Sequence, residues 1–301
     1  MIKESFVIDR CAVEKSLSAA ARTYDGSAKI PNLIADRLLD RLDFIRLKPT
    51  WIMDFGMRTG YTMRHLKKRY NTASIVGIES SLPMLLQGRN GVVGEYTSLP
   101  FADCSIDLIF SNLTFHWSVN LQQTLGECRR VLKPKGLLLF STMGPETLKE
   151  LRESFSDGRW HVHAFYDMHD IGDTLTHLSF VDPVMDMQQL TVHYSSIFQL
   201  LKDLKLIGAH NAAKGRCKGL TGKMHWQCML KSYEDQRNEN GALPVTLEVI
   251  YGHAFGAELN QFEGQQGEIF IPIDRIKARS EKSSLSYLAL IIIIGFKIKR
   301  H

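Results

Sequence analysis

The most constraining feature of this chain is the segment WIMDFGMRTG at residues 51–60. A short apolar run ends near the carboxylate of Asp54, and a turn containing Gly56 and Gly60 comes after it. A helix-forming segment with a basic end comes next. In α/β domains this order presents the carboxyl end of a strand to a nucleotide-like ligand. Glycine suits such a turn because it lets the backbone approach the ligand and permits a positive φ.

One such turn is a weak signal, and its value depends on the residues that come after it at the right spacing. The segment SIVGIE reads as a second strand and ends in Glu79, about 20 residues later, where a carboxylate can accept hydrogen bonds from both hydroxyls of a ribose. A third short strand ends at Glu95. A fourth ends at Asn112, at the edge where open α/β sheets bind ligands. Met84, after the second strand, would pack near an adenine or in the core.

The charge pattern narrows the functional classes. The formal net charge of the 301 residues is +5, but six basic residues and one acidic residue lie after Ile276, so residues 1–276 are formally neutral. A neutral body gives no support for a nucleic-acid surface. The five cysteines are scattered without a C-x-x-C pair, which predicts reduced thiols and a cytoplasmic setting. The first ten residues lack the apolar core of a signal peptide.

The residues before the turn predict two helices. The first covers residues 12–24 and is broken at Tyr24, and the second runs over residues 28–44 with Leu38 and Leu42 on its buried stripe. Two interpretations of Tyr24 stay open. It is a core aromatic, or a lid residue that closes on the bound ligand.

The second half of the chain predicts a strand-rich frame with a helical insertion. Helices are expected at residues 146–154, 168–178 and over most of 196–235, and strands at 184–194 and 245–251. The long stretch between the last two strands predicts a substrate lid. A loop before residue 168 contains His161 and His163, and His169 comes after it, but their spacing fits no zinc pattern, so no metal is expected.

The ordered set of strands and turns resembles the class I S-adenosylmethionine (SAM) methyltransferases. The runs LPFADCSIDLIFSN at residues 99–112 and ECRRVLKPKGLLLFST at residues 127–142 carry this resemblance. It implies an α/β, Rossmann-like, seven-stranded sheet with helices on both faces and a helical lid insertion, and SAM as methyl donor. The cofactor-binding residues that it implies are Asp54, Gly56, Gly60, Glu79, Met84, Glu95 and Asn112.

Motifs in the second half are similar to the malonyl-[acyl-carrier protein] O-methyltransferases of biotin synthesis. They are FYDMHDIGD at residues 165–173, DPVMD at 182–186, LKLIGAHNAAKGR at 204–216, LTG at 220–222 and YGH at 251–253. The resemblance runs over residues 8–279. It implies that the methyl acceptor is the carboxylate of a malonyl thioester on acyl carrier protein or coenzyme A.

The acceptor chemistry suggests which residues matter. A carboxylate is already ionised at pH 7, so no general base is required. A cation should hold it out of water, and Arg216 in the lid segment is the first candidate. His210 and Arg22 are weaker candidates, and Tyr24 is the candidate lid residue. Lys202, Lys205, Lys214, Arg216 and Lys218 form a candidate docking cluster for an acidic carrier protein.

We expect one methyltransferase domain over residues 1–279, with N-terminal helices at 12–45, a nucleotide half at 50–142 and a substrate and lid half at 143–256. Residues 280–301 lie beyond the resemblance. Their apolar run with a basic end is a weak membrane-surface helix or an extension without function, and no stable membrane association is expected.

The turn departs from the family pattern, which is Asp-x-Gly-x-Gly-x-Gly in type. Arg58 takes the place of the central glycine, and Met57 precedes it. A non-glycine residue at positive φ costs about 1–2 kcal/mol, and its Cβ would crowd the cofactor. Alternatively, the guanidinium reaches the carboxylate of the cofactor. Besides malonyl methylation, two alternatives stay open: methylation of another small acid or a quinone-like ring, and a related fold with impaired catalysis.

Overall fold

The computed structural model of the protein describes residues 7–88, 90–258, 263–264 and 268–269. The chain divides after Glu258 into two units. In the second unit, strands Glu263–Gly264 and Glu268–Ile269 pair antiparallel. The domain boundary predicted at residue 279 and the extension at 280–301 lie outside the described residues.

The first unit is built on a seven-stranded sheet. Its strands are β1 (Trp51–Phe55), β2 (Ser74–Glu79), β3 (Gly91–Val93), β4 (Ile106–Asn112), β5 (Leu132–Met143), β6 (Phe180–Tyr194) and β7 (Leu243–Gly256). Their order is β3-β2-β1-β4-β5-β7-β6. Strands β1 to β5 are parallel, whereas β7 runs antiparallel to both β5 and β6. The strand order reverses beside β1, so the glycine turn leaves the sheet at the switch point where open α/β sheets bind ligands.

Helices cover both faces of this sheet and extend past its end. They are α1 (Arg10–Ala20), α2 (Tyr24–Ser27), α3 (Lys29–Asp40), α4 (Tyr61–Arg69), α5 (Leu82–Gly88), α6 (Leu121–Val131), α7 (Lys149–Ser154), α8 (Met168–His177), α9 (Ile197–Leu206) and α10 (Lys223–Glu234). Short 3-10 turns span Arg41–Phe44 and Phe115–Trp117. Among the described residues, no helix is long and apolar enough to cross a membrane.

Alternation along the parallel strands produces two apolar layers. On β4, Ile109 belongs to the layer under α6 and α8, and Phe110 belongs to the layer under α3 and α4. Both side chains are fully buried. A sheet covered on both faces needs apolar residues on both, which explains why the parallel strands read as continuous apolar runs. The fold class expected from the sequence is confirmed.

The structure shifts several predicted boundaries. Helix α1 ends at Ala20, and Tyr24, where a break was expected, begins the separate helix α2. The Thr23 hydroxyl donates to the carbonyls of Ala20 and Leu206, which anchors the junction between α1 and α2 to the lid. Strands β6 and β7 both extend beyond the predicted ranges, since pairing along their length continues where the apolar pattern weakens.

The insertion between β6 and β7 forms the expected helical lid. Helices α9 and α10 pack with the ends of both strands around Leu200, Met229, Tyr233 and Leu243. The fully buried Tyr233 donates from its hydroxyl to the Pro244 carbonyl at 3.0 Å. The lid is therefore fastened to the sheet by an apolar cluster of its own.

Candidate active site

The glycine turn keeps a left-handed backbone at three positions. Gly56, Arg58 and Gly60 have φ of 74°, 50° and 79°. The amides of Gly56 and Met57 donate to the Ile78 carbonyl at 2.8 and 3.2 Å, which fixes the turn against the end of β2. A Cβ at Gly56 would clash with Thr114 on the loop after β4. Gly56 is required by this contact as well as by its φ, and Arg58 adopts the turn conformation despite its side chain.

Met57 fits because its neighbours are glycines. Its side chain is buried beside Gly77, Gly88 and Gly91. A Cβ on Gly88 would lie 2.7 Å from Met57 Cε, one on Gly91 would lie 2.6 Å from Met57 Sδ, and one on Gly77 would overlap the same sulfur. Three missing side chains thus make the space that Met57 fills.

Asp54 is buried near the carboxyl end of β1, and one of its oxygens has no hydrogen-bond partner among the described residues. Its Oδ2 accepts a hydrogen bond from the Thr62 hydroxyl at 2.5 Å. Its Oδ1 is buried and has no hydrogen-bond partner among the described residues. Burial raises the pKa of Asp54 to about 7, because the charged form loses its hydration.

Glu79, at the end of β2, is fully buried and fully engaged. Its Oε1 accepts from the Ser80 and Ser81 amides at 2.9 and 3.1 Å. Its Oε2 accepts from the Arg58 amide at 3.0 Å. The Arg58 Nη1 lies 3.2 Å from Oε1 and 3.1 Å from Oε2. The Tyr96 hydroxyl approaches Oε1 at 3.4 Å.

The partner of Arg58 was not foreseen from the sequence. The Arg58 guanidinium pairs with Glu79, the residue predicted to accept the ribose hydroxyls, and the Arg58 side chain is only 9% exposed. Its Nη2 is buried and unpartnered among the described residues. The serines directly after Glu79 were also missed, although small polar residues behind a strand-end acid are a readable signal for amide donors.

The other predicted cofactor residues have separate partners. Met84 is fully buried and packs with α1 and Tyr24. Glu95 is half exposed and forms an ion pair with Arg10. The Asn112 Nδ2 donates to the Pro31 carbonyl at 3.0 Å, and its Oδ1 accepts from the Ser141 hydroxyl at 2.8 Å. Asn112 therefore fastens α3 to the sheet edge.

A cavity of about 500 Å³ opens beside the turn. Residues from α1, α2, the loop after β4 and the lid line it, among them Leu17, Tyr24, Trp117, Leu200 and His210. Arg58 lines it as well, so this residue belongs to the cavity and to the glycine turn at once. Of the described lysines and arginines, Arg58 and Lys29 line the cavity.

Two histidines make part of the cavity wall uncharged. His116 and His163 are buried with their rings stacked at 6.4 Å between centroids. Burial lowers the pKa of His163 to about 4, and burial with the neighbouring His163 lowers the pKa of His116 well below its usual range. Both are neutral at pH 7. No group of three metal-ligating side chains occurs in the described part of the chain.

The three predicted catalytic candidates separate in space. Tyr24 and His210 line the cavity, with His210 Nδ1 3.0 Å from the Ser16 hydroxyl. Burial raises the pKa of Tyr24, which the nearby Arg58 cation opposes. Arg216 is not among the cavity-lining residues. Its Nη1 pairs with Asp9 Oδ2 at 3.0 Å, and this hydrogen bond lowers the pKa of Asp9.

The pair lies in a clamp between the lid and the start of the chain. The Asp9 amide donates to the Ala212 carbonyl, and the Lys214 amide donates to the Val7 carbonyl, both at 2.7 Å. Arg216 thus connects the segment before α1 to the lid, at some remove from the cavity lining.

The chain is similar to known proteins in sequence and in fold. A family profile described as "Methyltransferase domain" matches residues 53–140. The chain is 60% identical over 282 residues to malonyl-[acyl-carrier protein] O-methyltransferase 1 of Coxiella burnetii, covering 93% of this chain and 100% of that one. It is 42% identical to malonyl-[acyl-carrier protein] O-methyltransferase of Gallionella capsiferriformans, covering 83% and 92%. The YcgJ protein of Bacillus subtilis shares the fold at a TM-score of 0.54 and 14% identity, covering 73% of this chain and 98% of that one.

Proposed function

The chain belongs to the malonyl-[acyl-carrier protein] O-methyltransferase family, and we propose that it transfers a methyl group from SAM to the free carboxylate of a malonyl thioester on acyl carrier protein. The observation that carries this proposal is the 60% identity that spans the whole of a curated relative. The cavity beside the glycine turn supports it, because an acceptor placed there would lie next to the cofactor residues.

The frame of the turn fits SAM, and its residues take separate tasks in the proposal. Glu79 would accept from the ribose once the Arg58 guanidinium has left it, and the unpaired Asp54 Oδ1 would offer an acceptor to the methionine end. Gly56 and Gly60 would let the backbone approach, Met84 would pack beside the adenine, and Glu95 and Asn112 would border the site. When bound, SAM supplies an electrophilic methyl group on its sulfonium.

The acceptor side needs no proton transfer. A carboxylate is ionised at pH 7, so the residues have to orient it and keep water away. Leu200, Trp117 and the neutral His116 suit that task, since each presents an uncharged surface to the cavity. Tyr24 and His210 line the same space and are the candidates for contact with the acceptor. Methylation removes the charge, and the neutral ester then primes pimeloyl synthesis for biotin.

Arg216 stays a proposed residue of the acceptor pathway. Its pairing with Asp9 places it in the clamp that joins the lid to the start of the chain. Together with the lysines of the candidate docking cluster it would offer positive charge to an acidic carrier protein. These are Lys202, Lys205, Lys214 and Lys218. The proposed compartment is the cytoplasm, which the free cysteines among the described residues support.

The test uses the full chain and methyl-labelled SAM. Malonyl-acyl carrier protein, malonyl-CoA and free malonate would be supplied separately, and label would be traced into a base-labile methyl ester. We expect labelling of the carrier-bound malonyl group with the highest kcat/KM. The proposal would be wrong if no malonyl species became labelled while another small acid did.

A further inference from the structure

We propose that Arg58 competes with the cofactor for Glu79, and that the acceptor carboxylate relieves this competition by drawing the Arg58 guanidinium into the cavity. The inference rests on the proposed function for the identity of the two ligands. It makes Arg58 a positioning residue that couples the binding of SAM to the binding of the malonyl group.

Glu79 has too few acceptor positions for its present donors and a ribose together. A carboxylate offers about four lone-pair positions. On Oε1 the Ser80 and Ser81 amides fill two positions, and the Ser80 and Tyr96 hydroxyls lie further away, at 3.3 and 3.4 Å. On Oε2 the Arg58 amide fills one position, and Arg58 Nη1, which bridges both oxygens, takes the other. Because the amides belong to the backbone of the turn and of the β2 end, Oε2 opens to a ribose hydroxyl only when the Arg58 side chain leaves.

The cavity offers the guanidinium a second position. Arg58 lines the cavity beside Tyr24 and His116. Its Nη2 is buried and has no partner among the described residues. An unsatisfied cationic donor at a cavity wall is suited to an anion. The neutral His116 and His163 do not compete as cations, and the other described cation of the lining, Lys29, is exposed to water. A carboxylate entering the cavity would therefore find Arg58 as a buried charged donor with an unpartnered N–H group.

The two positions of Arg58 couple the two ligands. A guanidinium that pairs with an acceptor carboxylate releases Glu79 for the ribose, so each ligand favours the binding of the other. Methylation then removes the acceptor charge. The guanidinium loses its partner in the cavity and returns to Glu79, which favours departure of the spent cofactor, S-adenosylhomocysteine. The arginine at a glycine position would thus limit cofactor binding in the absence of the acceptor.

The binding experiment uses S-adenosylhomocysteine, which carries the ribose but cannot transfer a methyl group. Its Kd would be measured by calorimetry for the natural chain and for Arg58→Ala, Arg58→Gly and Arg69→Ala. Arg69 forms an exposed pair with Asp43 and serves as the matched control. If the guanidinium leaves Glu79 in about 1–10% of molecules, both Arg58 variants bind about 10- to 100-fold more tightly, and the control does not.

The same titrations would be repeated with malonyl-CoA present. The natural chain is expected to bind S-adenosylhomocysteine about tenfold more tightly than without it, and Arg58→Ala is expected to show no such gain. Equal affinity of the natural chain and Arg58→Ala would overturn the proposal. Tighter S-adenosylhomocysteine binding by Arg58→Gly alone would also overturn it, because the effect would then come from the Cβ and the φ at position 58. An equal change in Kd on adding malonyl-CoA to the natural chain and to Arg58→Ala would overturn it as well.

A further titration of the natural chain covers the case in which the variants do not fold. The S-adenosylhomocysteine titration is repeated with the methyl ester of malonyl-CoA, which lacks the free carboxylate. We expect malonyl-CoA to tighten binding and the ester not to, because the proposal requires the acceptor charge. Equal tightening by both compounds, or tightening by neither, would overturn the proposal. Loss of the proposed function would be seen separately, as absent methyl transfer to malonyl-acyl carrier protein in variants that bind the cofactor tightly.

Discussion

Two regions at the carboxyl ends of the strands differ in charge and in packing: the proposed cofactor side around Glu79 and the proposed acceptor side at the cavity. On the cofactor side Glu79 and Arg58 form a buried, multiply hydrogen-bonded ion pair. On the acceptor side a cavity of about 500 Å³ is bordered by the uncharged His116 and His163. Arg58, where the chain departs from the family turn, belongs to both sides, because its guanidinium pairs with Glu79 and its side chain lines the cavity. The comparison teaches that one substitution can connect a charged, hydrogen-bonded region to an uncharged one.

The largest expected effect comes from breaking the buried pair. Glu79→Gln leaves the Arg58 guanidinium buried without a counter-charge, which should lower the free energy of unfolding by about 3–5 kcal/mol. Urea unfolding at pH 7 measures it. Asp186→Asn is the control, since Asp186 pairs with Arg41 at the surface and should cost no more than about 1 kcal/mol. A loss smaller than about 1 kcal/mol for Glu79→Gln would mean that the pair is well solvated.

The cofactor side should also impose a pH dependence through Asp54. Its folded pKa of about 7 lies above the ordinary value of 3.8. Between these values the folded protein holds a proton that the unfolded chain has released, so the free energy of unfolding falls as pH rises, by up to about 4 kcal/mol in total. Asp54→Asn should remove this fall. Parallel curves of unfolding free energy against pH for the two proteins would contradict the prediction.

The acceptor side should show the opposite slope through His163. Its folded pKa of about 4 lies below the ordinary 6.5, so its contribution is present above pH 6.5 and is lost as pH falls toward 4. The full loss corresponds to about 3 kcal/mol. His163→Phe should be less sensitive over this interval in the same urea series. A variant that loses stability at low pH as steeply as the natural chain would show that His163 is not the group responsible.

The smallest expected effect tests the clamp outside both sides. Arg216→Gln removes the pair with Asp9, which is only partly buried, and should cost about 0.5–1 kcal/mol. The KM for malonyl-CoA should stay within about threefold, whereas the KM for malonyl-acyl carrier protein rises if the residue assists docking. Lys135→Gln, which removes a cation paired with Glu258, is the control. A tenfold rise in KM for both substrates would instead place Arg216 at the acceptor carboxylate.

The backbone frame was predictable because its signals are local. Asp54, Gly56 and Glu79 stand at fixed spacings on elements whose apolar periodicity is strong, and the structure brings them to one edge. The partner of Arg58 was not predictable in this way. Whether its side chain turns toward Glu79 or toward the solvent depends on how the turn, β2 and α2 pack together.

Arg216, in the clamp outside both sides, illustrates the same limit. Its motif predicted a cation in the lid, and the structure has one there. The bridge between Ile8 and Ala213 brings the start of the chain alongside that motif, so Asp9 becomes its partner. A contact between residues 9 and 216 leaves no periodic signal, because it joins residues 207 positions apart. Which cations face the cavity was therefore beyond the sequence.

Met57 and its three glycines restrict the order in which this turn can change. A side chain at Gly77, Gly88 or Gly91 would have to displace the end of the Met57 side chain, which occupies the space between them. Shortening Met57 first would leave a void in a packed region, at a cost of about 2–5 kcal/mol. Arg58, by contrast, does not fill that space, because its side chain lies at the cavity wall and on Glu79. The two neighbouring positions are therefore constrained differently: a change at position 58, the departure from the family turn, alters one ion pair, and a change at position 57 depends on the three glycines around it, which is epistasis.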